Sequence, residues 1–371
     1  MMTRPSKRFG WRTHHSVEII WLILLLLYEA GFCFSLVLRM PPLKQKQVSA
    51  EISCSECKGP IYSLGLKTYR VPMALYELNR ARLVQSMLED LQTKHKISSD
   101  SLPSRGLVLL EGGKQTTRYD TDHEPVFRQE SYFHWAFGVS DADVYGAISL
   151  PSGDATLFVP QYGMDYEIFC GSSPDLEKTR ERYGVERVLP LEELPSFVAS
   201  ELSDDERNNN NNENENDNEP QLFVLSGRNS DSGNYAMPAS YEGIHQHDSK
   251  RNTNTLFRAI SEARVSKTDA EIELMRYTNW VSSMAHVEVM RYCEVGMMEY
   301  QLESLFQHYT YTHGGCRLMS YTCICACGPN PAILHYGHSG RPNDRLLEDG
   351  DMALLDMGAE YHCYASDITC R

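Results

Sequence analysis

The chain of 371 residues is long enough for two or more domains with buried cores, and 42% of its residues are hydrophobic. Its formal net charge of −15 argues against a nucleic-acid partner, because phosphate binding requires clustered lysine and arginine. Its eleven cysteines form no regular framework, which fits a reducing compartment better than a disulfide scaffold.

Residues 1–60 are predicted to be an extension that precedes the folded domains. A basic start is followed by an apolar segment, residues 19–38, which Glu29 interrupts. This pattern is typical of a signal peptide or a membrane anchor, although a carboxylate at mid-span disfavours insertion as one helix. Cys54 and Cys57 follow without a second cysteine or histidine pair, so no zinc or redox site is predicted there.

Residues 61–255 are predicted to form an α/β domain. The segment Met73–Leu91 has apolar residues at near-helical spacing. Apolar runs predict strands at Gly106–Leu110, Tyr132–Phe137, Gly146–Leu150, Ala155–Val159 and Gln221–Ser226. The aromatic cluster in the second of these runs is expected to pack in the core rather than bind a ligand. Residues 204–220 are acidic and asparagine-rich, and they predict a disordered surface insertion because they offer no apolar side chain to bury.

Residues 256–371 are predicted to begin a second domain. Thr268 and Glu271 have the spacing of a capping box, and apolar residues continue a helix behind them. A second helix is expected to begin at Glu299 and to stop at Gly314–Gly315. A histidine on each of these helices is expected to be packed or solvated rather than bound to a metal: His286 and His308.

Two aspartates near the end of the chain are candidate metal ligands. The strand predicted at Asp351–Asp356 ends at Gly358, and Tyr361–Thr369 is its expected returning partner. If a short even-numbered loop joins these strands, Asp356 and Asp367 face each other. Both are embedded among apolar residues in the sequence, so a counter-cation such as Mn²⁺ or Mg²⁺ is expected. The alternative is a pair of solvated aspartates near a turn.

Several motifs together carry a resemblance to a known family. They are Ser320–Cys325, Leu334–His338, Pro342–Arg345, Gly350–Met352, Asp356–Gly358, Ser366–Thr369 and, further upstream, Phe127–Gly138. These segments resemble prolidases, the Xaa-Pro dipeptidases among the pita-bread dinuclear metallopeptidases. The resemblance runs from about Leu64 to Arg371. It implies an α/β N-terminal domain of the creatinase and aminopeptidase P type, followed by the first part of an α+β pita-bread catalytic domain.

The resemblance also implies roles for five residues. Asp356 would bind one ion and Asp367 would bridge two, in a centre of two Mn²⁺ or similar divalent ions. His335 would contact the dipeptide near the scissile bond, and Tyr321 would line the substrate pocket. Thr369 would hold Asp367 through a hydrogen bond. The implied reaction is metal-assisted hydrolysis of the peptide bond before a C-terminal proline.

The sequence departs from the family in its extent. One histidine and two glutamates that complete the family's site come from the part of the fold after Ser366–Thr369, and this chain ends at Arg371. We therefore expect an incomplete catalytic domain that holds metal weakly and does not hydrolyse Xaa-Pro by itself. An aminopeptidase P-like enzyme and a non-catalytic pita-bread binding protein are the alternatives.

The family further implies a homodimer and a cytoplasmic location. Its members lack a leader such as residues 19–38. A mis-assigned first exon therefore stands beside a signal peptide and a membrane anchor as an equal alternative for this segment, and the last two would make the protein secretory or membrane-anchored.

Overall fold

The computed structural model describes residues 59–95, 106–203 and 220–371, which all belong to one compact unit, Ser49–Arg371. The features predicted at residues 19–38, at Cys54 and Cys57, and at residues 204–219 lie outside the described residues. Within the described ranges, no helix combines the length and the apolar character needed to cross a membrane.

Helices and strands alternate through the first half of the described chain, and long helices precede short strands in the second. The α-helices are α1 (Ala74–His95), α2 (Ser131–Phe137), α3 (Met164–Cys170), α4 (Leu176–Tyr183), α5 (Leu194–Glu201), α6 (Leu256–Val265), α7 (Asp269–Tyr292) and α8 (Glu299–Gly314). The strands are β1 (Ile61–Tyr62), β2 (Val71–Pro72), β3 (Gly106–Glu111), β4 (Tyr145–Leu150), β5 (Ala155–Val159), β6 (Arg187–Pro190), β7 (Gln221–Val224), β8 (Gly227–Arg228), β9 (Tyr235–Ala236), β10 (Arg251–Asn252), β11 (Leu318–Met319), β12 (Ile324–Cys327), β13 (Ala353–Asp356), β14 (Ala359–Tyr361), β15 (Tyr364–Ala365) and β16 (Thr369–Cys370). Short 3₁₀ helices lie at Leu191–Glu193, Ile244–Lys250 and Asn330–Ala332.

A mixed six-stranded sheet forms the first half, in the order β10-β7-β3-β4-β5-β6. Its central strand β3 is antiparallel to β4 and parallel to β7. Leu107 and Leu109 belong to one hydrophobic cluster and Val108 and Leu110 to the other, because successive side chains of a strand point to opposite faces. The sheet is therefore buried on both faces, and the predicted helix α1 and strands β3, β4, β5 and β7 are confirmed.

The strand predicted at Tyr132–Phe137 is wrong, because this segment is the helix α2. Glu130 begins the helix by accepting a hydrogen bond from the backbone N–H of Phe133 at 2.7 Å, and Gly138 ends it in the left-handed conformation. All five residues of Phe133–Phe137 are buried, so no polar face marks a helical period in the sequence. The expected core packing of the aromatic cluster is confirmed.

Helix α2 and the loop before it connect the sheet to the second half of the chain. The Trp135 indole N–H donates to Oε1 of Glu271 at 3.0 Å, and the Tyr364 hydroxyl donates to the same oxygen at 2.8 Å. Arg128 forms an ion pair with Glu360 on β14 at 3.0 Å. The motif at residues 127–138 thus joins the two halves.

The second half packs helices α7 and α8 against two small antiparallel sheets, β11-β14-β15 and β12-β13-β16. The capping box of Thr268 and Glu271 begins α7 as predicted, and α8 begins at Glu299 and is followed by Gly315 in the left-handed conformation. His286 is buried on α7 and His308 is exposed on α8. These helices form the layer behind the strands that carry the candidate site.

Candidate metal site

The site is built on the antiparallel strands β13 and β16, which are paired although β14 and β15 lie between them in the chain. We call β13, β16 and the segments that adjoin them the hairpin. Strand β13 ends at Asp356, and the backbone N–H of Met357 donates to the carbonyl of Ile368 at 3.1 Å. At Gly358 the two segments come so close that an added Cβ would lie 1.9 Å from the Ser366 carbonyl oxygen. Glycine is therefore required there for the two aspartate-bearing segments to approach each other.

The pairing register differs from the simple hairpin that the sequence suggested. Asp356 lies opposite Thr369 in the ladder between β13 and β16, and Asp367 lies two residues earlier in the chain. Strands β14 and β15 occupy the segment between β13 and β16. Because residues two apart on an extended chain point the same way, Asp367 is the diagonal neighbour of Asp356 rather than its direct partner.

The hydroxyl of Tyr321 joins the two carboxylates. It lies 2.5 Å from Oδ1 of Asp356 and 3.1 Å from Oδ1 of Asp367. Burial and these two hydrogen bonds raise the pKa of the Tyr321 phenol above its usual value, so the group stays protonated. The structure thus brings together three of the five residues for which the sequence predicts a role.

The two aspartates differ in exposure. Asp356 is half-buried, whereas Asp367 is exposed. The expectation that both carboxylates are embedded among apolar residues is therefore wrong for Asp367. Asp367 lies between β15 and β16, outside either strand.

The chemistry of the donors fits the carboxylate part of a divalent-metal site. A hydroxyl has one proton, so Tyr321 can satisfy only one of the two carboxylates at a time. A divalent cation would neutralise the remaining repulsion, and carboxylate oxygens are the ligands that Mn²⁺ and Mg²⁺ prefer. Over residues 59–95, 106–203 and 220–371, no group of three or more histidine, cysteine, aspartate or glutamate side chains is arranged to hold a metal ion.

The other predicted site residues lie nearby in sequence but make different contacts. His335 is exposed in the loop after the 3₁₀ helix at Asn330–Ala332, and His338 is also exposed. Thr369 is exposed, and its backbone is paired with Asp356. The hydrogen bond from Thr369 to Asp367 therefore stays a prediction.

Sequence reasoning missed Glu299, which anchors the loop that carries His335. The carboxylate of Glu299 is buried and accepts hydrogen bonds from the Tyr336 hydroxyl at 2.7 Å and from the Cys327 backbone N–H at 2.6 Å. Burial opposes ionisation, but the hydrogen bonds from Asn330 and Tyr336 hold the pKa of Glu299 below its usual value. A helix-initiating glutamate looks like an ordinary solvated residue in the sequence, so no local signal reveals this role.

Two family models match separate segments of the chain. Residues 76–209 match the aminopeptidase P, N-terminal domain, and residues 273–370 match metallopeptidase family M24. The second segment contains Tyr321 and both aspartates. Residues 273–370 therefore form an M24 metallopeptidase domain. The chain has an aminopeptidase P-type N-terminal domain followed by this pita-bread domain, which confirms the predicted fold class.

Curated relatives are identical to this chain at nearly half of the aligned positions. It is 44% identical over 313 residues to a Xaa-Pro dipeptidase of Pongo abelii and 46% identical over 313 residues to one of Mus musculus. Each match covers 84% of this chain and 58% of the relative, so the chain spans 58% of the length of these proteins. The fold is similar to that of Pseudomonas aeruginosa aminopeptidase PepP, with a TM-score of 0.60 at 23% identity, over 82% of this chain and 62% of that one.

Proposed function

We propose that this M24 protein is a Xaa-Pro dipeptidase, which hydrolyses the peptide bond before a C-terminal proline in dipeptides. The observation that carries the proposal is the contact of one Tyr321 hydroxyl with both Asp356 and Asp367, inside the segment that matches family M24. The 44% and 46% identity to Xaa-Pro dipeptidases supports the same substrate class.

An aminopeptidase P-like activity on longer peptides is the second candidate. A probable Xaa-Pro aminopeptidase of Aspergillus terreus, 31% identical over 266 residues, supports it. Identity to the dipeptidases is higher, at 44% and 46% over 313 residues. The dipeptidase is therefore the better-supported function.

The site residues take distinct roles in this proposal. Asp356 would hold one Mn²⁺ or similar divalent ion, and Asp367 would contribute carboxylate oxygens to holding two. The ions would supply an activated water for attack on the carbonyl before proline. Tyr321 borders the bound substrate, and the exposed ring of His335 is free to contact the dipeptide. Thr369 orients Asp367.

We further propose that these 371 residues by themselves hold metal weakly and do not hydrolyse Xaa-Pro. Two carboxylates leave a divalent ion mostly hydrated, whereas tight sites surround the ion with more protein oxygens. A tight dinuclear centre needs further ligands, and the chain spans 58% of the length of its dipeptidase relatives.

A homodimer and a cytoplasmic location complete the proposal. Helix α3 has no buried residue, and Met164, Ile168 and Phe169 are 78%, 71% and 86% exposed, which supports a protein contact through the N-terminal half. The eight cysteines of the described residues are free thiols, which supports a reducing compartment. Residues 19–38 leave a secretory or membrane-anchored protein as the competing proposal.

A peptidase assay tests the function. The protein isolated from its native source and the recombinant 371-residue polypeptide are each given Gly-Pro or Gly-Pro-Gly in the presence of Mn²⁺. We expect the native protein to cleave Gly-Pro in preference to the tripeptide. We expect the 371-residue polypeptide to show no more turnover than its Asp356→Asn variant.

Each other outcome has a definite meaning. Cleavage of Gly-Pro-Gly without Gly-Pro would assign an aminopeptidase P-like activity. Failure of the native protein to cleave either peptide would contradict the enzyme and leave a non-catalytic binding protein. Turnover of Gly-Pro by the 371-residue polypeptide, lost in Asp356→Asn, would contradict the proposed need for further ligands.

A further inference from the structure

A buried polar network lies directly behind the two aspartates. Its members are Ser282 and His286 on α7, Ser320 beside β11, and Ser366 after β15; we call these four residues the back-side network. Ser282, His286 and Ser366 are 0%, 1% and 3% exposed. Buried polar groups in an apolar core are costly unless they are hydrogen-bonded, so this network is a specific arrangement of donors and acceptors.

The serines of the network cross-link the two segments that bear the aspartates. The hydroxyls of Ser282 and Ser366 lie 2.7 Å apart, and the Ser366 hydroxyl donates to the carbonyl of Ala359 at 2.9 Å. The Ser282 hydroxyl must therefore donate to Ser366, since each hydroxyl has one proton. The backbone N–H of Ala359 in turn donates toward both hydroxyls at 3.1 Å. The side chain of Ser282 on α7 therefore contacts both segments of the hairpin, at Ala359 and at Ser366.

His286 holds the hairpin one helical turn further along α7. Its Nε2 lies 2.9 Å from the carbonyl oxygen of Met357, and because a carbonyl only accepts, Nε2–H is the donor. The ring packs edge-on against Phe306 at 5.1 Å, which limits its rotation. Since residues four apart on a helix lie on the same face, Ser282 and His286 contact neighbouring points of the hairpin.

Every member of the network either is the immediate neighbour of a site residue or contacts such a neighbour. Ser366 precedes Asp367, Ser320 precedes Tyr321, and the carbonyl held by His286 belongs to the residue after Asp356. Ser320 also accepts a hydrogen bond from the backbone N–H of Ser366 at 3.2 Å, which connects the Tyr321 segment to the Asp367 segment.

We propose that Ser282 and His286 are positioning residues, which hold Asp356 and Asp367 at the separation that binding a hard cation requires. The inference rests on the proposed function, because it assigns these residues to the same carboxylate pair. Neither residue touches the carboxylates, so their effect passes through the backbone of the hairpin. Partners that orient metal ligands typically change metal affinity by about 10- to 100-fold when they are removed.

The test uses Tb³⁺, a hard cation whose luminescence is excited by a nearby tyrosine, on the 371-residue polypeptide. The signal from this site is the part that disappears in the Asp356→Asn and Asp367→Asn variants. We expect Ser282→Ala and His286→Met to raise the Tb³⁺ concentration at half-saturation by about 10-fold or more. His286→Gln, which keeps an N–H donor on a similar reach, is expected to restore most of the affinity.

Thr278→Ala is the matched control. Thr278 is buried one turn before Ser282 on α7, but its hydroxyl bonds only to the Leu274 carbonyl of its own helix at 3.1 Å. Thr278→Ala should remove a buried hydroxyl without changing the affinity for Tb³⁺. Thermal unfolding of every variant measures how far each substitution lowers the stability of the fold.

The outcomes separate this inference from the function on which it rests. If Asp356→Asn removes the signal while Ser282→Ala and His286→Met bind as Thr278→Ala does, the positioning role is overturned and the carboxylate pair stands. If no part of the signal depends on Asp356 or Asp367, the carboxylate pair of this polypeptide does not hold a hard cation, and the positioning role is overturned. The proposed function is decided separately, by the Gly-Pro assay on the native protein.

Discussion

Arg128 and Glu360 form an ion pair, and we expect replacement of Arg128 to lower the free energy of unfolding much more than replacement of Glu360. The side chain of Glu360 is 5% exposed and that of Arg128 is 37% exposed. Oε2 of Glu360 accepts from Nε of Arg128 at 3.1 Å and from Nη2 at 3.0 Å. Arg128→Met would leave a carboxylate in the interior, whereas Glu360→Gln would leave a guanidinium that water can reach.

The magnitudes follow from this difference in exposure. Removal of one partner of a buried pair costs about 3–5 kcal/mol, and we expect Arg128→Met to fall near 3 kcal/mol because water reaches one side of the pair. Glu360→Gln should cost about 1.5 kcal/mol, the loss of a hydrogen bond to a charged group. The double variant should cost less than the sum, because it leaves no uncompensated buried charge.

Urea unfolding followed by circular dichroism measures all three variants. Arg180→Met is the control, since the pair of Arg180 with Glu177 has the same chemistry but side chains that are 42% and 64% exposed. This control should leave the unfolding midpoint nearly unchanged. Equal losses for Arg128→Met and Glu360→Gln, or a double variant equal to their sum, would refute the reasoning.

Three further predictions concern stability. Burial lowers the pKa of His134 to about 3 and that of His362 well below its usual range. Below about pH 6.5 the unfolded chain therefore binds protons that the folded protein does not. His134 should reduce the free energy of unfolding by about 1.4 kcal/mol per pH unit down to about pH 3, and His362 should add a loss in the same direction. Urea unfolding at pH 7.5 and 5.5 checks this, and His134→Gln should flatten the dependence; an unchanged slope would contradict it. Gly358→Ala should cost at least about 3 kcal/mol, because its Cβ would meet a carbonyl oxygen at 1.9 Å, whereas Gly163→Ala meets nothing within 4 Å and serves as the thermal-unfolding control. Thr268→Ala should lower the free energy of unfolding by about 1 kcal/mol, because it removes the side chain that caps α7. Thr268→Ser keeps a hydroxyl and should lower it much less. Equal melting temperatures for the two variants would rule out the cap.

Local sequence patterns determined the elements whose hydrogen bonds and burial are local. The helical period predicts α1, the capping box at Thr268 predicts the start of α7, and the paired glycines predict the end of α8. Apolar runs likewise predict β3 and β5. The apolar run at Tyr132–Phe137 wrongly predicts a strand. This segment is a helix whose residues Phe133–Phe137 are all buried, so it lacks the polar face by which a helix is recognised in a sequence.

The sequence by itself also determined which residues could carry the chemistry, since the motifs around Asp356, Asp367 and Tyr321 indicate the family. Only the tertiary structure decided that Asp367 is exposed, and that one hydroxyl joins both carboxylates. It alone revealed that Ser282 and His286 support the hairpin from behind. These contacts join positions more than thirty residues apart, and hydrogen bonds of such span leave no trace in the local periodicity of a chain.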